Sequence, residues 1–186
     1  MKTLKQSTQK ILVLVPHRDI RRILCNYSDA LFKAGFCGAY HFPQAAPLAL
    51  LSQPLNISEL KHCARALREA AGGSKINITE TSVSSFPMNK DGMEFFGPRL
   101  NIDVSAIYNE SSSQKITGVI SAPVICACLL RNDETDKPSL PAPKFSFSAA
   151  AVANMLWQPL GVKGVQGYKW KIGELIWLAP VKKKGQ

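Results

Sequence analysis

A chain of 186 residues, 46% hydrophobic and 19% charged, has the size for one compact domain and lacks the polarity of a disordered chain. Its five cysteines are scattered, odd in number and show no paired CxxC spacing. That argues against a disulfide framework or a zinc site and suits reduced thiols in a cytoplasm. A formal net charge of +10 attracts polyanions, with RNA or a nucleotide phosphate as the leading partner class.

In chain order, Lys10 to Val15 suits a strand buried on both faces, because Ile11 to Val15 are five consecutive branched apolar residues. Pro16 cuts it, so it is too short for a signal-peptide core or a membrane span. From Asp19, Ile20, Ile23, Leu24, Tyr27, Leu31 and Ala34 recur at helical spacing, with Arg21, Arg22, Asp29 and Lys33 off the stripe and Gly35 as a stop. Leu48 to Leu51 then predicts a strand. Ser58 is the expected cap of a second helix that buries Leu60, Cys63, Ala64, Leu67 and Ala71 and stops at Gly72-Gly73.

Lys75 to Thr79 alternates with period two, and Val83 and Phe86 extend that pattern. Asn89-Lys90-Asp91-Gly92 is a turn, with Met93 to Phe96 and Leu100 to Tyr108 as returning strand. Ile116 to Ile120 suits a strand, and Pro123 to Leu130 a helix capped by Ser121. Arg131 to Pro143 is a charged, proline-rich loop. Phe145 and Phe147 mark a strand, which Ala149 to Trp157 either prolongs or follows as a helix. Tyr168 to Ile172 and Glu174 to Leu178 close the chain as strands.

Three stretches carry a family resemblance: Phe42 to Leu51 with Pro54 to Leu60, Leu140 to Phe147, and Lys171 to Leu178. With the order of elements, they make the chain similar to the two-histidine phosphoesterases, the group that includes RNA cyclic phosphodiesterases and 2′-5′ RNA ligase-like proteins. The resemblance implies an α+β fold of two pseudo-symmetric lobes with central antiparallel sheets and helices outside. It implies a single two-lobed domain over 1–181, with lobes near 10–100 and 101–181, and a basic tail over 182–186.

The family motif is a histidine, an apolar residue, a threonine or serine, and another apolar residue, once in each lobe. Residues two apart on a strand share a face, so imidazole and hydroxyl point into one cleft, where paired imidazoles serve as acid and base. Here the first motif falls on Pro47 to Leu50, with Pro47 in place of histidine and Ala49 in place of the hydroxyl residue. The second falls on Lys144 to Phe147, where Lys144 replaces histidine and Ser146 keeps the hydroxyl. Both motifs are therefore degenerate. The expectation is a protein that binds RNA ends or a nucleotide phosphate in a basic cleft with standard catalysis lost. Lys144 and Ser146 are the expected phosphate contacts, and Lys182, Lys183 and Lys184 the nucleic-acid tail.

One rival is an active phosphodiesterase acting on 2′,3′-cyclic phosphates or 2′-5′ linkages. It would use Lys144, His41 in an alternative register over His41 to Gln44, or an imidazole such as His17 brought in by the fold. The other is a non-catalytic structural or partner-binding module with its cleft filled by its own side chains. Gly72 to Lys75 follows a helix instead of opening one, so it is no phosphate loop. Asp133, Glu134 and Asp136 lack histidine partners. No cofactor, metal or membrane is expected.

Overall fold

Ile11, Leu12, Val13 and Leu14 are all without solvent exposure, which is possible only for a strand with neighbours on both sides and cover on both faces. The computed structural model describes residues 8–36, 43–72, 75–78, 80–86, 93–108, 114–131, 138–147, 150–162 and 165–178. It is a mixed α+β fold of antiparallel sheets. Strand β1 (Gln9–Pro16) runs into a 3-10 turn (Arg18–Ile20) and helix α1 (Arg21–Lys33). Gly35, at φ +97°, ends that helix. Strand β2 (Ala46–Leu51) precedes α2 (Ile57–Ala70).

The cap of α2 is Asn56, two residues ahead of the expected Ser58. Its side chain accepts from the Glu59 N–H at 2.9 Å, while the Asn56 N–H donates to the Glu59 carboxylate at 2.7 Å. This reciprocal box satisfies two N–H groups at the helix start, where a serine at 58 would satisfy one.

Among the described residues the remaining strands are β3 (Ile76–Ile78), β4 (Thr81–Phe86), β5 (Met93–Pro98), β6 (Ile116–Val119), β7 (Cys128–Arg131), β8 (Phe145–Phe147), β9 (Ala150–Val162), β10 (Val165–Ile172) and β11 (Ile176–Trp177). One sheet has the order β10-β9-β1-β2-β6, with β11 also on β9; β4-β5-β7 form a second and β3-β8 a third. The β4 and β5 strands pair as the expected hairpin, although the turn at 89–92 lies outside the described residues. Ala150 onward is strand and not helix, and it does not prolong the Phe145–Phe147 strand but lies in a different sheet.

Alternate residues of β1 feed different cores. Leu12 and Leu14 pack with Leu60, Cys63 and Leu67 of α2, and Ile11 and Val13 with Met155 and Trp157 of β9 and with Phe95, Val124 and Cys126 of the second layer. Helix α1 turns Tyr27 and Leu31 onto Phe96, Cys128 and Leu130 of the three-stranded sheet, leaving Ile23, expected inside, 39% exposed.

Two segments differ from their expected form. Leu100 to Tyr108 holds a 3-10 turn (Val104–Ile107) capped by Asp103. Pro123 to Leu130 is extended: Ile125 N–H donates to the Pro98 carbonyl and Ala127 N–H to the Phe96 carbonyl, both at 2.9 Å. The residues from Val124 to Cys128 are all buried, and such a continuous apolar run fits an inner strand as well as a buried helix. Among the described residues no helix is long and apolar enough to cross a membrane.

Candidate functional site

The expected motif positions fall in different sheets. Pro47 and Ala49 are buried in β2, with Ala49 between Leu12 of β1 and Val119 of β6. Pro47 is tolerated in this inner strand because the β1–β2 register shifts there, from Leu12↔Ala49 to Val13↔Pro47. Lys144 and Ser146 are both exposed, at and just before β8. Ser146 lies opposite Asn77 of β3, while Phe145 and Phe147 stack at 6.1 Å. His62 is exposed on α2. His41 and Lys182, Lys183 and Lys184 lie outside the described residues. Among those described, no cluster of histidine, cysteine, aspartate or glutamate could hold a metal ion.

Two cavities are relevant. A small one of about 300 Å³ lies where β2 and β6 meet β4, and is lined by Leu50, Val83, Ser84, Val119, Ile120 and Ser121 among others. None of its lining side chains is ionisable. Successive residues of a strand face opposite ways, and β2 reaches this cavity through Leu50, one step from Ala49. Neither Lys144 nor Ser146 lines either cavity.

The larger cavity, about 670 Å³, is a groove between α1 and the edge of the main sheet. Arg21, Leu24, Cys25 and Ser28 line it from α1, at the 3- and 4-residue steps that place side chains on one helix face. Val15, Pro16, His17 and Arg18 supply one end, and Trp170, Ile172, Leu175 and Trp177 the opposite wall. Both tryptophans are half exposed, at 47% and 48%.

That two tryptophans seven positions apart face the same way is itself a consequence of the fold. Trp170 pairs with Trp157 and Trp177 with Ala151, so the chain around Gly173 carries one residue more than β9 does. Gly173 N–H donates to the Asn154 carbonyl at 2.9 Å within this bulge. One extra residue reverses the alternation beyond it and brings Trp177 onto the face of Trp170.

The groove has a cationic end. His17 and Trp177 sit with ring centroids 5.5 Å apart. His17 Nδ1 accepts from the Asp19 N–H at 3.4 Å and lies 2.8 Å from Asp19 Oδ2, so Nε2 is the ring nitrogen left to face a ligand. Arg18 and Arg21 stand alongside, both exposed. The first turn of α1 contains no acidic residue, and Asp19 of the 3-10 turn before it is turned to His17. Farther along α1, Asp29 lines the same groove, and the Gln44 Nε2 donates to Cys25 Sγ at 3.1 Å. The Gln44 Oε1 is buried without a hydrogen-bond partner.

Arg21 and Asp29 lie off the apolar stripe of α1, and Trp170 and Trp177 fall in the closing strands, so their spacing alone predicts solvated charges and sheet residues. A pair of tryptophans in a basic C-terminal segment was the available signal; the bulge that aligns them was not. Comparison of the chain with protein-family models, curated proteins and solved structures gives no match.

Proposed function

We propose that this chain is a two-histidine phosphoesterase-like protein, built of two pseudo-symmetric lobes, that binds single-stranded RNA or a nucleotide phosphate and does not hydrolyse it. The observation that carries the binding half is the 670 Å³ groove, where Trp170 and Trp177 face Arg18, Arg21 and His17. Aromatic faces stack on unpaired bases and cations follow the phosphates, the combination used for single strands of any sequence. A mostly apolar concavity with a few convergent polar groups is also the usual form of a ligand site. Under this reading the phosphate contacts move from Lys144 and Ser146 to the arginines of the groove.

The loss of hydrolysis is supported by the motif positions themselves. Acid–base catalysis needs groups that exchange protons within reach of the scissile bond; Pro47 and Ala49 carry none, and Lys144 lines neither cavity. Cys25, Cys63 and Cys126 are thiols, in keeping with a cytoplasmic protein. The test pairs two measurements. Tryptophan fluorescence should be quenched on titration with single-stranded RNA, and the same preparation should turn over a 2′,3′-cyclic phosphate at the background rate. An unquenched signal at low salt removes the binding half, and turnover that Lys144→Ala or His41→Ala abolishes removes the other.

A further inference from the structure

Trp170 and Trp177 are set against β9 residues 157 and 151, which at roughly 3.4 Å per residue is about 20 Å along the strand. One nucleotide cannot touch both rings. Even fully stacked nucleotides, at about 3.4 Å each, cover that distance only as a run of several. The groove is also electrically polar. The His17–Trp177 contact fixes the cationic end of α1 beside Trp177, and Asp29, which follows Arg21 by eight residues, about 12 Å along a helix, lines the same groove farther from that end.

We infer that the groove holds a single-stranded oligoribonucleotide several nucleotides long, with one base stacked on Trp177 and a second, non-adjacent base stacked on Trp170. The phosphates near Trp177 lie against Arg18, Arg21 and the His17 Nε2. A carboxylate repels phosphate and accepts from hydroxyls, so Asp29 meets the ribose 2′-hydroxyl, the group that separates RNA from DNA. The charge of the whole chain, +10, favours this polyanion over a neutral or basic peptide, another occupant that an aromatic-lined groove would suit. The inference rests on the nucleic-acid reading above and adds to it the ligand's length, direction and sugar.

The experiment titrates the full chain with oligouridylates of one to six nucleotides and with oligodeoxythymidylates of the same lengths, following tryptophan fluorescence. Affinity should climb steeply until the strand spans both rings and then level off. Trp170→Ala should weaken the hexamer about tenfold and leave the mononucleotide unchanged, whereas Trp177→Ala should weaken both; Phe at either position should restore most of the loss. Asp29→Asn should erase the preference for ribose. A mononucleotide that binds as tightly as the hexamer, or a hexamer indifferent to Trp170→Ala, overturns the inference. Salt-sensitive binding that ignores both tryptophans and both arginines sinks this site while leaving RNA binding standing. Failure of every oligonucleotide to bind removes both.

Discussion

The carboxamide of Asn154 takes the place of a strand neighbour. Its Oδ1 accepts from the Leu55 N–H at 2.9 Å and its Nδ2 donates to the Leu55 carbonyl at 2.7 Å, joining β9 to the segment that enters α2. Asn154→Ala would leave both Leu55 backbone groups without these partners, an expected loss of about 1–3 kcal/mol, to be read from the urea midpoint. Titratable residues make a second test. Burial pushes the Tyr27 phenol up to about 12, and burial, with the Glu59 charge second, pushes the Cys63 thiol up to about 11. Both groups are raised acids, so the unfolded chain ionises first. Their stabilising effect is whole below the ordinary values of 9.0 and 10.0 and is lost as pH rises through 11 and 12. Chemical denaturation between pH 8 and 12 should show stability falling, with a shallower fall above pH 10 in Tyr27→Phe.

At the scale of elements, the chain segment from Val124 to Ala127 depends on one glycine in its neighbour. A Cβ built on Gly97 of β5 would overlap the backbone carbonyl of Ile125, and a backbone oxygen cannot rotate away as a side chain could. Gly97→Ala should therefore separate β5 from this segment, at a cost of about 2–4 kcal/mol, measured as a lowered melting temperature and faster amide exchange at Ile125 and Ala127. The amphipathic helices α1 and α2 were legible because their apolar residues recur with the helical period and each ends at a glycine. The stretch after Pro123 was not, since residues enclosed on both sides carry no periodic signature.

For the molecule as a whole, net charge should dominate association. If lysine and arginine charges hold the ligand, the logarithm of the RNA affinity should fall linearly with the logarithm of salt concentration, and little difference should separate one sequence from another. Gln substitutions at Arg18 and Arg21 should reduce that slope by about one each, to the extent that each contacts one phosphate. Removing Lys182, Lys183 and Lys184 should lower it further, and an unchanged slope would return the tail to a solubility role.

Composition, charge and local periodicity by themselves determined that the chain folds, that it is basic, that β1 is an inner strand and that two amphipathic helices follow it. These depend on neighbours within a few residues, or on sums over the whole chain. What only the tertiary structure decided is which side chains meet. Ser146 and Ala49 belong to strands of different sheets, and Trp177 shares a face with Trp170 through a single bulge residue. His17 reaches Trp177 across 160 positions of sequence. A binding site is made by such long-range registers, and a one-residue shift, which leaves composition and hydrophobic pattern almost untouched, reverses every side chain beyond it.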